Sequence, residues 1–120
     1  MALSDADMLG GMFRLQEELQ AYKLKEVGFN RQEYINMMAL AMVREVGEAL
    51  EATAWKNPEF VKYGWKKGQV LDIKMFKDEL VDVLHFFLNL CIAAEMGPVE
   101  LHKRFVEKNK ANMARWENGY

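Results

Sequence analysis

Proline is almost missing from this chain: in 120 residues it occurs only at Pro58 and Pro98. It is the residue a helix interior tolerates least, so the long proline-free tracts leave α-helix open to nearly the whole sequence. Runs of β-branched residues are few, and apolar residues recur at steps of three and four. The pattern predicts an all-α fold: four main helices forming an antiparallel bundle-like core, in a single domain over residues 1–120.

Local punctuation sets the expected boundaries. Ser4 with Asp7 three residues on has the form of a capping box, opening a helix to about Val27, with Gly28 at its C′ position. Asn30 is an N-cap with Glu33 at N3, and Phe29 faces Tyr34 as a hydrophobic staple. This second helix is expected from Arg31 to about Lys56, where Asn57-Pro58 ends it. Residues 57–72 read as a loop, and Asp72 caps a third helix from Ile73 to about Met96. Gly97-Pro98 opens a fourth, with Pro98 at N1 and Glu100 at N3, ending near Trp116.

Composition narrows the class of function. A net charge of −2 lacks the basic footprint of a general nucleic-acid binder. The single cysteine, Cys91, excludes an internal disulfide framework and fits a reducing compartment. No uncharged apolar run is long enough to span a bilayer, and Asp5 and Asp7 near the start argue against a signal peptide, so a cytoplasmic protein is expected. Long amphipathic helices in a chain that is 51% apolar predict that some faces are buried in a homodimer.

The residues with the most chemical content are acidic. Glu45, Glu48, Ala52 and Trp55 step by three, four and three along the second helix; Glu79, Asp82, Phe86 and Asn89 step identically along the third. Each set is one stripe beside the main apolar face of its helix, so packing those faces together gathers four carboxylates at the edge of the core. Such a set suits a hard divalent cation, above all Mg²⁺, which takes oxygen ligands and bridges to substrate phosphates. The competing reading is a pair of solvated faces. Against it, none of the four acids has Lys or Arg at i+4, and Ala52, Trp55 and Phe86 poorly suit an exposed stripe. Gly47, between the glutamates, costs about 1 kcal/mol relative to alanine and admits close approach of another helix or a ligand. A di-iron bundle would need Glu-x-x-His on two helices. Only Asp82-x-x-His85 is similar, His85 points off the stripe, and His102 has no acidic partner at i−3.

Glu45-x-x-Glu48 followed by Glu79-x-x-Asp82 resembles the paired motif of the all-α nucleoside triphosphate pyrophosphatases, the superfamily of MazG-like proteins, dCTP pyrophosphatases and dimeric dUTPases. The surrounding sequence is most similar to the dimeric dUTPases: Trp55-Lys56 after the first pair, Glu79-Leu80-Val81-Asp82-Val83-Leu84-His85-Phe86, and Leu15-Gln16-x-x-Leu19 near the start. The ending Lys108-Asn109-x-x-Asn112-x-x-Arg115-x-x-x-Gly119-Tyr120 resembles that family's C-terminal motif, so the likeness runs from about Leu15 to the last residue.

The resemblance implies Mg²⁺-dependent hydrolysis of dUTP to dUMP and pyrophosphate, with Glu45, Glu48, Glu79 and Asp82 holding the metal and water attacking phosphorus. Glu48 is the choice for orienting that water. It also implies phosphate binding by Lys108, Asn112 and Arg115, which share a helical face, with Lys56 contributing. Their alternative is a solvated basic helix end. Gln16 and Asn89 are the candidates for reading the base, and Trp55 and Phe86 for stacking on it or excluding a ribose hydroxyl; packing aromatics and a surface glutamine are the plainer readings. Relatives acting on dCTP or on several deoxynucleotides share all four acids, which makes dCTP or broad specificity the alternative activity. A non-catalytic helical interaction module, its nine methionines forming an adaptable surface, is the alternative of another class.

Overall fold

The computed structural model describes residues 7–27, 30–53 and 71–119. Among them are four helices and no strand: α1 (Met8–Val27), α2 (Arg31–Leu50), α3 (Ile73–Ala93) and α4 (Pro98–Glu117). No single described helix is long and apolar enough to cross a membrane. The chain divides into two compact units, one of Met1–Gly28 with Cys91–Tyr120, the other Phe29–Leu90. In the first, α1 and α4 touch. Phe13, Gln16 and Gln20 of α1 are buried there, at spacings that place them on one face.

The second unit carries α2 and most of α3, and three contacts fix how they pair. Asn89 Nδ2 lies 3.3 Å from Met38 Sδ, the carboxylates of Glu45 and Glu79 meet, and the Asp72 amide donates to the Ala52 carbonyl at 2.9 Å. Positions that rise along α2 fall along α3, so the two helices run antiparallel. An isolated antiparallel bridge between Thr53 and Leu71 closes the same end.

The predicted caps form as side-chain chemistry requires. Asn30 Oδ1 accepts from the Glu33 amide at 2.9 Å, while its Nδ2 donates to Glu33 Oε1 at 2.8 Å. Asp72 Oδ1 accepts from the Met75 amide at 3.1 Å, and Pro98 stands at the start of α4 behind an extended Gly97. The Ser4 cap, Gly28, the Phe29 staple and Asn57-Pro58 lie outside the described residues.

Two boundaries differ from the sequence expectation. The second helix stops at Leu50, not near Lys56. Its next amides, of Glu51, Ala52 and Thr53, bond three residues back instead of four, and Thr53 Oγ1 donates to the Leu50 carbonyl at 2.8 Å. The Ala52 carbonyl then serves the Asp72 amide, so a contact with the start of α3 takes the place of a further helical turn. The third helix stops at Ala93, short of Met96. Glu95 sits in the left-handed region at φ 59°, the Met96 amide reaches the Cys91 carbonyl at 2.9 Å, and the Glu95 amide reaches Ile92 at 2.9 Å. This is a Schellman end with glutamate at the position glycine usually fills.

Candidate metal centre

Glu45 and Glu48 project from successive turns of α2, and Glu79 projects from α3, because spacings of three keep side chains on one helical side. The antiparallel pairing brings the three to one place: one carboxylate oxygen from each lies within 4.8 Å of the others, and all three residues are half-buried. Asp82 stands one turn beyond Glu79, exposed and outside this trio, yet its charge acts on Glu45.

The trio is electrostatically unfinished. Glu45 Oε2 and Glu79 Oε2 are shielded from solvent and have no hydrogen-bond partner among the described residues. Ionised carboxylates only accept, so gathering them supplies acceptors and no donor. Accordingly the Glu45 carboxyl is pushed up to about 7, first by burial, then by side-chain contact with Glu48 and Glu79 and by the charges of Glu48 and Asp82. Among the described residues Arg44 lies beside the cluster, 3.4 Å from Glu48, on an exposed side chain where such a pair contributes little. A proton shared among the carboxylates relieves part of the repulsion. A hard divalent cation relieves more, and the donor set of oxygens on two rigid helices fits one. Neither histidine belongs to the trio, and both are exposed, so nothing among the described residues favours the di-iron arrangement.

The other predicted site residues fall into three groups. Lys108, Asn112 and Arg115 lie on α4, all exposed, with Arg115 in its last turn. Gln16 and Asn89 are buried instead of lining an open surface, with Asn89 touching Met38, and Phe86 is half-buried. Trp55 and Lys56 lie outside the described residues, as do the lysines at 62, 66 and 67. Sequence reading passed over Gln20, a buried amide one turn beyond Gln16; the available signal was its i+4 spacing on the same face as Phe13 and Gln16.

The architecture thus defines a class: an all-α protein that presents a carboxylate trio from two antiparallel helices. Comparison with known proteins narrows it. A family model described as dUTPase matches residues 8–100, and the chain belongs to that family. The dCTP pyrophosphatase of Enterobacteria phage T4 is 46% identical over 44 residues, 37% of this chain and 26% of that protein. The dCTP pyrophosphatase of Enterobacteria phage LZ5 is 37% identical over 79 residues, 62% of this chain and 46% of that protein. The chain therefore spans less than half the length of these curated relatives. No solved structure matches.

Proposed function

We propose that this protein is a Mg²⁺-dependent nucleoside triphosphate pyrophosphohydrolase that converts dUTP to dUMP and pyrophosphate, acting as a homodimer in a reducing, cytoplasmic compartment. The observation that carries the reading is the carboxylate trio with two shielded oxygens that lack a hydrogen-bond partner among the described residues, in a chain of the dUTPase family.

Glu45, Glu48 and Glu79 would hold the ion, with Asp82 completing the set from the next turn of α3. When bound, Mg²⁺ supplies charge stabilisation at the phosphates and lowers the pKa of coordinated water. The chain's residues do the rest. Glu45, protonated in part near neutral pH when no cation is present, ionises fully against an opposite charge. Glu48 is assigned to orient the water that attacks phosphorus. Its side chain is 41% exposed. Lys108, Asn112 and Arg115 share one face of α4 and offer a point charge, a neutral donor and a planar fork to phosphate oxygens. Lys56 is assigned to the same task. Gln16 and Asn89 are the amides assigned to the base, with Trp55 and Phe86 against its ring; both amides are buried in the chain alone and would have to be uncovered to reach it.

One finding favours a second reading of the base: both relatives reported above are named dCTP pyrophosphatases. Uracil and cytosine differ in the polarity of two adjacent groups, and a side-chain amide can meet either by turning over. The test is a panel of dUTP, dUDP, dCTP, dTTP, dATP, dGTP and UTP with Mg²⁺, products separated by chromatography. Preferential conversion of dUTP to dUMP and pyrophosphate is expected. Preference for dCTP, or broad turnover, moves the base assignment and keeps the metal centre. No turnover of any nucleotide by folded, metal-loaded protein overturns the enzymatic reading.

A further inference from the structure

The group that covers the Asn89 amide bears on which base that amide accepts. Its Nδ2 donates to Met38 Sδ at 3.3 Å, across the seam between α2 and α3. A thioether sulfur accepts and never donates. Turning the amide over would set its Oδ1 against the sulfur, acceptor against acceptor. Met38 therefore keeps the donor side of Asn89, not its carbonyl, directed toward α2.

The pair also lies where a base belongs. Met38 stands seven residues before Glu45 and nearly in line with it along α2, while Asn89 stands ten beyond Glu79 on α3. At about 1.5 Å per residue, those positions are about 10 and about 15 Å along the helices from the carboxylate trio. A nucleotide with its phosphates at the trio reaches that far with its base. Asn89 is buried and Met38 only half-buried, so the thioether is the more accessible of the two. Methionine is unbranched with three rotatable bonds, and by swinging aside it lets a ligand atom take the place of the sulfur. That atom must be an acceptor. The 4-carbonyl of uracil is one, whereas the 4-amino group of cytosine is a donor and would oppose the Asn89 N–H.

We propose that Met38 is a positioning residue which, by fixing the orientation of the Asn89 amide, sets a preference for uracil over cytosine. The inference rests on the assignment of Asn89 to the base in the proposed function. Met38→Leu keeps the volume and apolar character of the side chain and removes the acceptor, so position 38 no longer opposes turning the amide over. Helical content by circular dichroism should be unchanged. The ratio of kcat/KM for dUTP to that for dCTP should fall about fivefold, chiefly because dCTP improves. Loss of packing alone would lower both values and leave their ratio in place. Protein grown with selenomethionine retains an acceptor at position 38 and should keep the wild-type ratio.

Asn89→Ala, assayed beside Met38→Leu, separates the two claims. A ratio that falls in Asn89→Ala but not in Met38→Leu overturns the role of Met38 and leaves the base assignment standing. A ratio unmoved by either substitution overturns the base assignment and this inference with it. A wild type that prefers dCTP overturns the inference by itself, since the donor side of Asn89 would then not select the base.

Discussion

The acidic trio on α2 and α3 and the basic row on α4 are built by opposite means. Glu45, Glu48 and Glu79 are half-buried, held by two helices paired along their length, and crowded enough to raise Glu45 well above an ordinary carboxyl. Lys108, Asn112 and Arg115 are exposed on a single helix that contributes no buried residue of its own. Crowded acids store repulsion that a cation releases, so the trio is organised before its ligand arrives. Solvated basic side chains retain their conformational freedom and become ordered only when an anion fixes them. Under the proposed function, the crowded trio would supply the chemistry and the solvated row would take hold of the substrate.

Substitutions can break that division of labour. Glu79→Ala removes a proposed ligand from the preorganised side, and kcat should fall roughly a thousandfold, about 4 kcal/mol of transition-state stabilisation, in steady-state assays with saturating Mg²⁺. Arg115→Ala should raise KM about tenfold with a smaller change in kcat, because a grip on phosphate acts on the bound substrate and the transition state alike. If Arg115→Ala damages kcat as severely as Glu79→Ala, the two regions do not divide the work as described.

A smaller effect should appear at Glu95, which is in neither region. Relieving its left-handed backbone with Glu95→Gly should add about 1 kcal/mol to stability in urea denaturation and leave turnover unchanged.

The trio also predicts a pH dependence. Because Glu45 titrates near 7 in the folded protein against 4.5 ordinarily, the folded state holds more protons between those values. Its contribution must therefore turn unfavourable as pH rises through that window and remain so above it. In chelator, Glu45→Gln should gain stability relative to wild type on going from about pH 5 to about pH 8. Added Mg²⁺ should shrink that gap, because only the wild-type carboxylate benefits from the ion.

Much of this organisation was legible in the sequence, and the exceptions have physical causes. The four helices follow from scarce proline and from caps such as Asn30 and Asp72, whose side chains bond locally and so declare themselves. The acidic stripes follow from helical periodicity, and the pairing of apolar faces brought three of the four acids together. The end of α2 was not legible. Ala52 has every local reason to stay helical, and a contact with Asp72, twenty positions away, diverts its carbonyl. The end of α3 was misjudged because Gly97 is the obvious stop signal, while Glu95 takes the left-handed position that sequence rules reserve for glycine or asparagine. Burial of Gln16, Gln20 and Asn89 was equally hidden, since amide side chains are usually exposed.

The central claim is that Glu45, Glu48 and Glu79 form a site for a divalent cation before any substrate binds. Its most direct test is titration of nucleotide-free protein with Mn²⁺, followed by electron paramagnetic resonance, for wild type and Glu79→Gln at neutral pH. The account predicts saturable binding to wild type and its loss in Glu79→Gln, with helical content unchanged. Equal binding by both proteins, or none by a wild type that still turns over nucleotide, would contradict it.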